Sequence, residues 1–274
     1  MSKSYRLVAA LIMISCVWST KASEQTHEVM WTASVSPPFH IVDGDFAQQG
    51  VCDALVQSFQ KAMPNVRHRV DYLPQLRIGM LWENEQNLCF PCMIYREDNP
   101  YTLITYSEPT HSYPSHGIIT RPQLVDELVQ KYGNPVSLEA LLRDQKYRFI
   151  QPVGRMYGDL QQLIDEHAVG TSQHVILNSD NANTAMLSMI LRERSDFTID
   201  YPMIKAYFES MESGELAFLP IAELIGDEVL GAVACTRNSW GEESIRLINQ
   251  VIPEIQADPN FQRAVKQWLD PIQP

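Results

Sequence analysis

Two α/β lobes are the fold class this sequence predicts, and three observations carry it. Strand-like and helix-like segments alternate as βαβαβ across residues 29–94, the pattern of a parallel sheet covered by helices. That alternation breaks at 106–120, where Pro109, Pro114 and Gly117 fall close together, and a second α/β series follows. The 274 residues are 45% apolar and 20% charged, a composition able to bury a sizeable core.

Taken in order, residues 29–35 (VMWTASV) read as the first strand, closed by Pro37-Pro38. A short extended piece at Ile41-Val42 and an Asp43-Gly44-Asp45 turn follow. After Gly50, Leu55, Phe59 and Met63 recur at helical spacing until Pro64 stops the helix. Residues 67–73 alternate like a strand, 76–85 have helical character, and 88–94 are again strand-like. The extended stretch 117–120 is expected to cross between lobes.

In the second series, Ser137 can cap a helix running through Leu142, and 147–153 form a strand. A turn bounded by Gly154 and Gly158 opens a helix with Leu160, Leu163 and Ile164 on one face. Next come a strand at 174–177, a helix at 181–194 with Met186, Met189 and Ile190 inward, a strand at 196–200 and a short helix around 204–208. Residues 228–236 (EVLGAVACT) read as a strand, and helices over 242–257 and 260–269 finish the chain. No short fixed-period repeat is present, which argues against solenoids and propellers.

The N-terminus reads as an address. Lys3 and Arg6 precede an apolar stretch at 7–18 that is too short for a bilayer, which needs about 20 residues. It fits the core of a secretory signal, and Thr20 and Ala22 supply the small residues for cleavage after Ala22. Residues 1–22 are therefore expected to be a signal peptide, with a lipoprotein at Cys16 as the alternative. Their removal takes away three basic residues and no acid, leaving 252 residues with charge −15 and four cysteines.

So acidic a chain, with no Lys/Arg-rich run, is a poor match for nucleic acid or an anionic membrane. In an oxidising compartment the four cysteines, Cys52, Cys89, Cys92 and Cys235, should pair, and three complete pairings are open. Cys89 and Cys92 form a CxxC within a strand-like run, not at a helix start where the dipole would activate a thiol. His111 and His116 lack further ligands at suitable spacing, so neither a metal nor a cofactor is expected. No nucleophile-elbow, Walker or zinc-protease string appears, and the chain is not expected to be an enzyme.

Several strings fall in a suggestive order: Ser36-Pro37-Pro38-Phe39 with Gly50-Val51-Cys52-Asp53, then Arg96-Glu97 and Tyr106-Ser107-Glu108-Pro109. Gly154-Arg155-Met156-Tyr157-Gly158 and the run from Asp196 to Asp200-Tyr201-Pro202 follow, and then Gly231-Ala232-Val233-Ala234 and Gln267-Trp268-Leu269. In this order, over nearly all the chain beyond residue 22, they resemble the bacterial extracellular solute-binding proteins of family 3. Those are periplasmic receptors that deliver amino acids and similar solutes to ABC importers. The resemblance implies a periplasmic-binding-protein-like fold: lobe 1 from 23–115 and 222–274, lobe 2 from 118–221, and two hinge crossovers that let the cleft close on a solute.

It also implies roles. Phe39 would line the cleft and pack on the solute, or else be a core residue. Arg96 matches the arginine that forks onto a solute carboxylate, against simple pairing with Glu97 or Asp98. Met93 stands where many amino-acid binders have Thr, and the gap from Arg96 to Tyr106 is longer than usual. The turn ending at Gly158 would offer N–H groups at a helix start, with Tyr157 beside it. Asp159 would cap that helix or, facing the cleft, favour a cationic group. Asp200 matches the carboxylate that takes a solute ammonium, or else caps the helix after Pro202; Tyr201 flanks it.

The implied function is capture of a small polar solute, an amino acid or related compound, by a monomer in the periplasm that serves an ABC permease. The alternative is a stand-alone periplasmic sensor or accessory module docking on a membrane signalling protein. An enzyme on the same scaffold is the third reading.

Overall fold

The computed structural model describes residues 27–97, 102–179, 181–226 and 229–270. The expected signal segment at 1–22, with Cys16, lies outside these residues.

The first run follows the predicted alternation: β1 (Glu28–Ala33), α1 (Val51–Ala62), β2 (Arg67–Tyr72), α2 (Gln75–Glu83) and β3 (Cys89–Ile94). β1 pairs in parallel with β2 along its whole length and with β3 at Trp31–Cys89. Two three-residue strands come next, β4 (Ile104–Tyr106) and β5 (His111–Tyr113). They are too short to show any periodicity in sequence.

The chain then enters a second sheet at β6 (Gly117–Thr120). The sequence reading makes this stretch a crossover, whereas it is an inner strand, paired antiparallel on both sides and buried at all four residues. After it come α3 (Pro122–Tyr132), α4 (Leu138–Asp144), β7 (Phe149–Pro152), α5 (Gln161–His167), β8 (His174–Leu177), α6 (Ala182–Leu191), β9 (Phe197–Asp200), α7 (Pro202–Met211) and β10 (Ala217–Pro220). Ser137 caps α4 as predicted, accepting from the Ala140 N–H. The strand order is β10-β6-β9-β7-β8.

The chain returns through β11 (Val229–Thr236) and ends in α8 (Ser239–Ala257) and α9 (Pro259–Trp268). β11 runs antiparallel to β3, β4 and β5, so the first sheet is mixed, in the order β2-β1-β3-β11-β4 with β5 also on β11.

Helices pack on both faces of each sheet, so alternate residues of the inner strands enter opposite cores. In β3, Cys89 faces the core that α1, α8 and α9 make with Trp31, Phe59, Ile248 and Phe261, while Phe90 faces α2 with Ile78 and Trp82. In the second sheet, Ile118 and Phe149 pack with Leu138 and Ile164 of α4 and α5. Their neighbours Ile119 and Ile150 pack with Met186, Leu187 and Ile190 of α6. Among the described residues, no helix is long and apolar enough to cross a membrane.

Candidate functional site

Between the two sheets lies a cleft of about 880 Å³. The segments that line it leave the carboxyl ends of six strands: 34–40 after β1, 72–76 after β2, Arg96 after β3, 153–156 after β7, 178–179 after β8 and Tyr201 after β9. Side chains that fan out from strand ends are the usual way an α/β sheet presents a ligand site.

On the first sheet's side, the loop carrying Phe39 is fixed by one carboxylate. Asp53, buried in the first turn of α1, accepts from the Ile41 N–H at 2.9 Å and the Gly50 N–H at 3.1 Å. Its other oxygen lies 2.8 Å from His40 Nδ1 and takes the Tyr72 hydroxyl at 3.2 Å. The Cys52 N–H donates to the Phe39 carbonyl at 3.0 Å, so the loop sits hard against the helix start. Gly50 is needed there, because a Cβ at that position would overlap the Phe39 carbonyl. Phe39 is half-buried, and its ring meets Tyr113 and Tyr201 edge-on, both at 5.7 Å between centroids.

Two disulfides brace the floor, Cys52–Cys92 and Cys89–Cys235. A bulge where β3 faces β11 breaks the strict alternation, so Cys89 and Cys92 both face the core beside α1, yet each has a different neighbour there. Cys92 joins α1, and Cys89 joins its direct ladder partner on β11. The CxxC is thus two separate crosslinks, one of the three pairings left open by the sequence.

On the second sheet's side, the turn from Gly154 to Gly158 is held by positive φ at both glycines, +73° and +60°. It aims Arg155 at the cleft. Arg155 Nη2 donates to Asp200 Oδ1 at 2.6 Å, and its guanidinium lies over the rings of Tyr157 and Tyr201 at 5.8 and 6.0 Å. Tyr201 stacks on His116 at 3.9 Å. Burial, together with the Arg155 cation, drives His116 down to about 3, so its imidazole is neutral. Burial pushes the Asp200 carboxyl up, and Arg155 pulls against it. Burial likewise raises the Tyr157 and Tyr201 phenols.

Of the sequence candidates, Phe39, Arg96, Gly158 and Tyr201 line the cleft. Tyr157 is buried behind it, against Phe149 and His116. Asp159 caps nothing; its side chain is 74% exposed and takes Arg96 Nη1 at 2.9 Å. Asp200 is fully buried behind Arg155 and also accepts the Tyr201 N–H, so it neither faces the cleft nor caps α7. A solute ammonium would have to displace Arg155 to reach it.

Sequence reasoning missed Arg155, His116, Tyr113 and Asn183, all cleft-lining. Arg155 lay inside a motif already singled out, and its place between two turn glycines was the available signal. Asn183 Nδ2 donates to Ser36 Oγ at 3.2 Å, which with Arg96–Asp159 and Phe39–Tyr201 joins the two sides. Among the described residues, no group of three His, Cys, Asp or Glu is placed to hold a metal ion.

No family model matches the chain, and no curated protein matches it. Solved structures do. One is an ancestral amino acid-binding protein, AncCDT-1, a precursor of cyclohexadienyl dehydratase, at 14% identity and TM-score 0.63 over 89% of this chain and 96% of that one. Another is YtmK of Bacillus subtilis, a probable amino-acid ABC transporter extracellular-binding protein, at 12% identity and TM-score 0.63 over 90% and 99%. A third is the VFT2 domain of BvgS from Bordetella pertussis, at 15% identity and TM-score 0.59 over 89% and 93%. The chain therefore has the two-lobe α/β fold that these structures share.

Proposed function

We propose that this chain is a solute-binding protein of the family 3 type, which captures a small polar solute by hinge closure in the periplasm for an ABC importer. The observation that carries this reading is the cleft itself, open at the carboxyl ends of strands from both sheets and bridged by polar contacts from its two walls. Closure of two bodies around a ligand is a hinge motion, and it needs few crossing segments. Here the chain passes between the sheets after β5 and again after β10. The lobes of this proposal are 23–115 with 222–274, and 118–221, after removal of a signal peptide at 1–22. Phe39, Arg96 and Gly158 are its first ligand contacts. The solved relatives with this fold include an amino-acid ABC transporter's binding protein, which favours transport over a sensor role.

A thermal-shift screen of amino acids, polyamines, short peptides and organic acids tests it. A ligand at about 100 times its Kd stabilises by about 2.7 kcal/mol, a shift of roughly 5–10 °C for a chain of this size. Silence across the whole set refutes the reading. N-terminal sequencing of the exported protein should begin at Ser23.

A further inference from the structure

The described lining of the cleft holds more arginine than carboxylate side chains. Among the described residues that line it, the sole carboxylate is Glu83, at the exposed end of α2. Two arginines reach the same space, Arg96, which Asp159 pairs, and Arg155, which the buried Asp200 pairs from behind. Asp200, which would suit a solute ammonium, is fully buried, with one oxygen committed to Arg155 and the Tyr201 N–H. Arg155 presents the opposite chemistry. A guanidinium has five N–H donors in a planar fork, and one bond to Asp200 leaves the rest for another acceptor. Its side chain keeps 21% exposure, and with Asp200 behind it the free edge faces the cleft.

The remaining lining fits an apolar body. Phe39, Tyr113, Tyr201 and neutral His116 form a cluster of rings beside Arg155. At the mouth, Val35, Leu76, Leu103 and Met156 are 41–53% exposed, with both walls contributing. A volume of about 880 Å³ is near the top of the range for small-molecule sites and exceeds what one amino acid fills.

We propose that the solute is an organic anion with an aromatic or otherwise apolar body, its oxyanion held by Arg155, and not an α-amino acid or a cation. This rests on the solute-receptor reading above and gives that site its substrate class.

Three probes that share a phenylethyl body and differ in the charged groups they carry test it on the purified protein: 3-phenylpropanoate, phenylalanine and phenethylamine, ranked by thermal shift and by calorimetric Kd. The expected result is binding of 3-phenylpropanoate roughly tenfold to hundredfold tighter than phenylalanine, with no shift from phenethylamine. Arg155→Gln should abolish the 3-phenylpropanoate shift. Asp200→Asn should tighten 3-phenylpropanoate, because Arg155 keeps an amide oxygen partner and loses a competing negative charge. A ranking led by phenylalanine or phenethylamine overturns the substrate class and leaves the receptor reading standing. No shift from any of the three also overturns the class. The wild-type ranking needs no variant, so a misfolded Arg155→Gln or Asp200→Asn protein leaves the test intact. Failure of the receptor reading itself would show as silence in the wider screen.

Discussion

Replacing Asp53 with Ala should be among the most damaging single changes outside the apolar core. The carboxylate is 4% exposed and takes four donors. Tyr72 already has Gln48 Nε2 on its hydroxyl and can turn to water. The other three, the Ile41 and Gly50 N–H groups and His40 Nδ1, are buried and would be left without an acceptor. At about 1–3 kcal/mol for each abandoned buried donor, taken at the low end because the vacated volume can admit water, the loss is about 4 kcal/mol. For a chain of this size that is a fall in melting temperature of roughly 8–16 °C. Asp53→Asn isolates the cause, since it keeps the volume but turns an N–H₂ group toward donors. It should lose most of the same stability. The assay is thermal unfolding followed by tryptophan fluorescence, with Trp31 in the adjoining core as reporter. An Asn variant that melts within about 2 °C of wild type would refute the reasoning.

Further outcomes follow from the same contacts. Mass spectrometry of the non-reduced protein should find Cys52–Cys92 and Cys89–Cys235 and no alkylatable thiol among these four. Removing the first bond, whose cysteines are 40 residues apart, should cost about 4 kcal/mol on chain entropy alone, read as a drop in denaturant midpoint. Asp159→Ala removes the exposed partner of Arg96 and should change stability by under about 1 kcal/mol, yet weaken ligand binding up to about fivefold by loosening the closed cleft; Arg96→Ala also removes a ligand contact and should weaken binding further. His111 and His116, both driven down to about 3 by burial, stay neutral in the fold while the unfolded chain takes up protons below about 6.5. Their contribution is therefore complete above that pH and is lost as pH falls toward 3, and His116→Gln should flatten the slope of stability between pH 6.5 and 4.

The alternation of strand and helix was readable wherever a segment was long enough to show a period. Leu55, Phe59 and Met63 marked α1, and the 174–177 strand matches β8 at both ends. Three-residue β4 and β5 offered no period to read, and β10 ends in Pro220, which argues locally against a strand. The reading places no helix over α3, although Leu124, Leu128 and Tyr132 stand at helical spacing behind Pro122. The site divides in a similar way. Phe39 and the Gly154–Gly158 turn were visible as local strings. The burial of Asp200 and its ion pair were not, because its partner Arg155 lies 45 residues away in sequence. Arg96 likewise finds Asp159 63 residues on, a partner that no local pattern marks.

β11 has a consequence for how the molecule comes into being. It lies between β3 and β4 in the first sheet, yet it is made after every strand of the second. As the chain emerges from its N-terminus, β1, β2 and β3 can assemble early, but the seam that joins them to β4 and β5 stays open until residues 229–236 arrive. The second sheet, drawn from one unbroken stretch between β6 and β10, has no such wait. Maturation should thus run from the inside of the sequence outward, with the Cys89–Cys235 bond among its last covalent events and a natural marker of completion.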